Sequence, residues 1–221
     1  MKQSLPLLKL NYSFNSTLES PFHERNGLLE FKEGFNQPEF FTRWSFFTAL
    51  YGEQVFIDHY VLTFPDRITL QTYADVLCSD KAQIVEGPGL FPADFCPDNY
   101  TLATDLWMHF LTVLMPSGGL LVLTSPYAPG DEKARFIQER GPAAVHHLAI
   151  RVDDMYAAAL LWQKKGFQPL SSAPMDGRKL RQWFLENPDG QIIELINRSP
   201  DNNATFECQN IGSLRLAEVA Q

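Results

Sequence analysis

The sequence predicts an α+β fold built from two similar βαβββ-like modules, and three observations predict it. The order strand, helix, hairpin occurs twice, over residues 55–126 and 143–198. Each first strand carries a histidine at a corresponding place, in Asp58-His59-Tyr60-Val61 and in His146-His147-Leu148-Ala149. Each hairpin turns on residues that favour turning, Pro116-Ser117-Gly118-Gly119 and Asn187-Pro188-Asp189-Gly190.

Residues 1–54 read as an N-terminal extension of mixed aromatic and charged residues, in which QPEFFTRWSFFTALYG (37–52) is expected as a short amphipathic helix after Pro38. The first module, 55–142, opens with the strand VFIDHYVLTF, rich in β-branched and aromatic residues and stopped at Pro65-Asp66. Asp66 or Thr69 caps the helix ITLQTYADVL. The Pro- and Gly-rich stretch EGPGLFPADFCPDN (86–99) is expected as a long loop or covering lid. The strands LWMHFLTVLM and GLLVLTSP follow as a hairpin. The second module, 143–198, repeats the pattern: strand AAVHHLAIRV, an Asp153-Asp154 cap, helix MYAAALLWQKK ended by Gly166, and the hairpin RKLRQWFLE with QIIELINR. Residues 199–221 form a C-terminal tail.

At 221 residues, 45% hydrophobic and 20% charged, the chain has the make-up of a folded globular protein. A net charge of −8 without clustered Lys or Arg argues against a nucleic-acid partner. The apolar run near the start is broken by Lys9, and no segment approaches the ~20 apolar residues of a membrane span, so neither export nor membrane insertion is expected. Cys78, Cys96 and Cys208 are odd in number, widely spaced and without a CxxC pair, which fits a reducing cytoplasm.

Glu194 lies in the run Ile192-Ile193-Glu194-Leu195-Ile196, where a carboxylate buried without a cation or water is costly. A lone strand histidine is ordinarily a hydrogen-bonded core residue. Two at related positions of a repeat, with a buried-looking carboxylate, instead compose a metal-ligand set: His59, His147 and Glu194. Imidazole and carboxylate donors suit divalent Fe, Mn, Co, Ni or Zn.

VHHLAIRVDDMYAAALLWQKKGF followed by WFLENPDGQIIEL resembles the second module of the vicinal oxygen chelate superfamily of glyoxalases, bleomycin-resistance proteins and dioxygenases. The resemblance covers roughly residues 55–198. It implies paired βαβββ modules forming a curved, open, mixed sheet around a metal site. His147 and Glu194 match the ligand positions closely, and His59 matches through Ile57-Asp58-His59. Aligning the two turns places Val122 where four-ligand relatives carry Glu or Gln, which leaves the three-ligand arrangement of the dioxygenase branch. The linker LTSPYAPGDEKARFIQERGPAAVHHLAI and the run Phe206–Leu214 resemble the catalytic half of 4-hydroxyphenylpyruvate dioxygenase. The linker also resembles methylmalonyl-CoA epimerase. Ile211 and His146 depart from the dioxygenase pattern.

The resemblance implies a non-haem Fe(II) dioxygenase acting on a small molecule that chelates through two adjacent oxygens, an α-keto acid or a catechol. The alternatives are a glyoxalase- or epimerase-type enzyme that stabilises an enolate, and a non-catalytic binding or resistance protein. Pairing of modules within one chain or across a homodimer stays open. Residues of other types read as structural: His109 as core or support to the site, His146 on the face opposite His147, Asp153-Asp154 as a cap, and Arg178, Lys179 and Arg181 as a solvated hairpin edge. His23 falls in the stretch without a clean period.

Overall fold

The computed structural model describes residues 20–43, 47–177, 180–198 and 206–219. The strands are β1 (Phe22–Arg25), β2 (Leu28–Phe31), β3 (Phe47–Leu50), β4 (Glu53–Thr63), β5 (Gln83–Phe91), β6 (Met108–Leu114), β7 (Leu120–Pro126), β8 (Ala144–Arg151), β9 (Gln168–Pro169), β10 (Met175–Asp176), β11 (Leu180–Glu186) and β12 (Ile192–Arg198). The helices are α1 (Gln37–Thr42), α2 (Arg67–Ser79), α3 (Glu132–Arg140), α4 (Met155–Gln163) and α5 (Cys208–Val219). The fold is α+β on a mixed, curved, unclosed sheet. Among the described residues no helix is long and apolar enough to cross a membrane.

The chain divides into two compact units, with boundaries inside β4 and β8. Among the described residues, one unit takes 20–35, 47–58, 147–177 and 180–198, and the other takes 36–43, 59–146 and 206–219. In the first unit β12 runs parallel to β8 and antiparallel to β11, which also pairs with β9 and β10. Asp154 caps α4 by accepting the Ala157 N–H, as the Asp153-Asp154 pair predicts. The helix buries Ala158, Ala159 and Trp162, and Trp162 meets Tyr51 and Phe167 edge to face.

In the second unit β4 runs parallel to β7, β7 antiparallel to β6, and β6 antiparallel to β5. Asp66 rather than Thr69 caps α2, accepting the Thr69 N–H at 2.7 Å. Leu70, Ala74 and Leu77, at i, i+4 and i+7, are the buried stripe of α2. The rings of Phe40 and Phe41 in α1 meet Tyr60 edge-on, and strand alternation sets Tyr60 on the face of β4 opposite His59.

Three expectations are corrected, and one helix is added. The helix over 37–52 is only α1, capped by Asn36; Phe47–Leu50 is a strand. Tyr51 and Gly52 both have positive φ (49° and 77°) and form a two-residue turn that returns the chain into β4. The loop expected over 86–99 begins as β5, whose Gly87-Pro88 step is absorbed by register shifts on an edge strand where a missing N–H is tolerated. A Cβ at Gly87 would stand 2.6 Å from the Phe110 carbonyl oxygen, so glycine lets β5 lie close to β6. The linker before the second module holds α3, capped by Asp131. Cys96 and Cys208 are disulfide-bonded, leaving Cys78 free, so the widely spaced cysteines do pair.

Candidate metal centre

Register places the ligand candidates of the first unit. Parallel pairing sets Ile192 beside His147 and Glu194 beside Ala149, so His147 and Glu194 stand on one face, two residues apart along neighbouring strands. His147 is 4% and Glu194 2% exposed. His147 Nε2 lies 3.6 Å from Glu194 Oε2, beyond a direct hydrogen bond. Two donors each about 2.1 Å from one ion stand about 3.0 Å apart at a right angle and about 3.5 Å at a wider one, so the spacing fits a shared cation. Phe184 on β11, opposite Glu194, sets its ring edge-on to His147 at 5.6 Å between centroids. Apolar walls of this kind exclude water and strengthen a metal's hold on its donors.

His59 belongs to the second unit and is 1% exposed. The same register recurs there: His59 pairs with Leu120 as His147 pairs with Ile192, and two residues further stand Val122 and Glu194. Val122 is therefore the positional counterpart of Glu194. It is buried in a cluster with Val61, Phe91, Met108 and Phe110, where no side chain offers an ionic donor. The Phe206 ring stands edge-on to His59 at 5.0 Å. Phe95, Cys96, Tyr100 and Leu102 from the loop after β5, and Phe206 and Ile211 from the C-terminal segment, pack on the cluster. Thr112 Oγ1 donates to Glu86 at 3.1 Å, and Glu86 also accepts the Phe206 N–H at 3.3 Å. The loop after β5 and the C-terminal segment thus lie against the apolar residues beside His59.

The remaining candidates fall where a structural reading puts them. His146 enters a buried charge cluster, with Nε2 2.6 Å from Lys133 Nζ and 3.2 Å from Glu218 Oε1. Donor atoms of Glu132, His146 and Glu218 lie within 4.8 Å of one another. Lys133 and Arg215, however, already balance both carboxylates, Arg215 bonding Glu132 and Glu218, so the cluster needs no cation. Burial alone would raise the Glu132 pKa; Lys133, His146 and Arg215 outweigh it and hold the carboxyl far below its ordinary value. His109 is half-buried on β6, its ring 6.5 Å from Tyr127, and burial lowers its pKa. His23 is exposed on β1. Arg181 pairs with Asp176 at 2.7 Å on the hairpin edge, while Arg178 and Lys179 lie outside the described residues.

A second buried network escaped the sequence reading. Asp58, 4% exposed, accepts from Arg151 Nε at 3.0 Å and from Arg198 Nε at 2.9 Å. Asp58 precedes His59, and Arg198 lies four residues beyond Glu194, so charges neighbouring the candidate ligands in sequence are fixed by ion pairs within the first unit. Arginines at strand ends look solvated in a sequence, and nothing in their spacing reveals the shared aspartate.

Strand, helix and hairpin recur, each set opening on a strand with a buried histidine, and this is a fold shared with solved structures. Among solved structures the chain is similar to a variant of 4-hydroxymandelate synthase from Streptomyces coelicolor, with a TM-score of 0.52 and 18% identity over 73% of this chain and 52% of that one. It spans about half the length of that synthase. It is also similar to methylmalonyl-CoA epimerase from Mycobacterium tuberculosis, with a TM-score of 0.46 and 22% identity over 65% of this chain and 88% of that one. No protein-family model matches the chain, and no curated protein matches it by sequence.

Proposed function

We propose that the protein is a metal-dependent vicinal-oxygen-chelate enzyme, a non-haem Fe(II) dioxygenase in which His59, His147 and Glu194 hold the metal. Its substrate is a small molecule with two adjacent oxygens, an α-keto acid or a catechol. The observation that carries the reading is Val122 in the place corresponding to Glu194: the repeat supplies two imidazoles and a single carboxylate. Such a donor set leaves coordination positions for a chelating substrate and for O₂, and bound iron supplies the one-electron chemistry that lets them react.

The chain's own residues hold and shield. The face-sharing register of β8 and β12 orients His147 and Glu194 before any metal arrives, and the rings of Phe184 and Phe206 border the imidazoles with apolar edges. The reading places the enzyme in the cytoplasm, where the Cys96–Cys208 bond would have to persist or be kept by turnover of its redox state.

Anaerobic reconstitution followed by metal analysis tests the ligand set, and oxygen uptake across α-keto acids and catechols tests the reaction. We expect about one Fe(II) per chain, a charge-transfer band with a chelating substrate, and O₂ consumption. Retention of metal by Glu194→Ala and His147→Ala would remove the ligand assignment. Deuterium exchange into substrate with Co(II) and no oxygen requirement would replace the dioxygenase by an isomerase or lyase, and a folded protein that takes up no metal would leave a binding protein.

A further inference from the structure

Helix α5 is held by two anchors of different chemistry. Its C-terminal half is fixed by the buried charges: Arg215 Nε donates to the Leu106 carbonyl at 3.0 Å, and its guanidinium bonds Glu132 and Glu218. Its N-terminal end is fixed by the bond from Cys208 to Cys96. Cys96 lies in the segment between β5 and β6, which among the described residues has one 3₁₀ turn, Thr104–Leu106, and no strand or α-helix.

Around that bond the contacts include the Phe206 N–H donated to Glu86 at 3.3 Å. Tyr100 Oη donates to the Cys208 carbonyl at 3.0 Å. Gly212 is in such close approach to Tyr100 that a Cβ there would stand 1.7 Å from the phenol oxygen. The residues this end carries are those covering the apolar cluster: Phe206, edge-on to His59, and Ile211, with Phe95, Tyr100 and Leu102 from the opposing segment. Both cysteines are only half-buried, within reach of a small thiol.

We propose that the Cys96–Cys208 disulfide is a redox latch on the cover of the His59 face. Oxidised, it clamps the start of α5 to the 92–107 segment and keeps Phe206 against His59. A dithiol reductant opens it: one thiolate attacks a cystine sulfur and displaces the other as a thiolate, then the reductant's second thiol closes its own disulfide. Two electrons and two protons pass to the protein, leaving Cys96 and Cys208 as thiols and the reductant oxidised. Noncovalent contacts alone then hold the N-terminal half of α5, and it lifts away while the half anchored by Arg215 and Glu218 stays docked. The inference is independent of the metal reading, because the cover can open whatever binds beneath it.

Hydrogen–deuterium exchange on the full chain, read by mass spectrometry before and after treatment with a dithiol, tests this. Amides of 93–103 and 206–212 should exchange at least about tenfold faster after reduction, with those of β6, β7 and 215–218 unchanged. The Cys96→Ser/Cys208→Ser variant should exchange at the reduced rates with or without reductant. Unchanged rates in the two segments would overturn the latch. So would acceleration spreading evenly through β6 and β7, which marks a plain structural staple, and so would the absence of a Cys96–Cys208 cross-linked peptide in a non-reducing digest.

Discussion

A valine in place of a carboxylate changes what a metal can do, because each protein donor withheld opens a position to water, substrate or O₂. Val122 is buried among Val61, Phe91, Met108 and Phe110, so its surroundings are apolar. Restoring a donor by Val122→Glu should cost at least ~2 kcal/mol in the metal-free protein, a buried carboxylate in an apolar cluster. Added metal should recover that loss while oxygen uptake falls at least about tenfold. Thermal melts with and without metal, beside O₂ consumption, measure both, and an equal loss of stability in the two states would mean that residue 122 does not face the metal. Glu194→Gln keeps the side chain's shape and removes its charge; we expect metal affinity to fall about 10- to 100-fold, read by competition with a chromogenic chelator. At this scale the sequence was informative because both modules share one register. His147 beside Ile192 and His59 beside Leu120 repeat the spacing that the turn alignment used.

At the scale of elements, legibility followed the local signal. Both long hairpins and the Asp66 and Asp154 caps announce themselves through turn and capping residues within a few positions of where they act. The hairpin of β1 and β2 turns on Asn26-Gly27, both with positive φ, a signal present in the sequence and passed over amid the aromatics around it. What no local pattern carries is the docking of α5. Lys133, His146, Arg215 and Glu218 look like surface residues, and the disulfide spans 112 positions. Removing one member of the charge cluster should therefore be severe: Arg215→Met should destabilise by about 3–5 kcal/mol in denaturant titration, because it leaves Lys133 to balance two carboxylates. A change below about 1 kcal/mol would show the cluster to be solvated. Glu132 gives the cluster a pH dependence. Its folded pKa lies below the ordinary value of 4.5, so its contribution is complete above that pH and drains away as the pH falls further. Glu132→Gln should flatten the loss of stability below about pH 4.5, and unchanged acid unfolding of the variant would refute the assignment.

For the whole molecule, the two units interleave along the chain, since each draws on segments from both halves of the sequence. The modules legible as a contiguous repeat are thus not the compact units of the fold. Strands β4 and β8, which carry His59 and His147, are where the units divide. Under the proposed ligand set, a metal that binds only the folded chain stabilises it by mass action. At a thousandfold excess over Kd the stabilisation is about 4 kcal/mol. For a chain of this size each kcal/mol raises Tm by about 2–4 °C, so scanning calorimetry should show a rise of about 8–16 °C in the metal-loaded protein. His59→Ala separates this from a metal held by His147 and Glu194 alone. If the three residues share the ion, the variant loses most of the shift. If the shift survives intact, the metal belongs to the first unit, and His59 is a core histidine packed against Phe206.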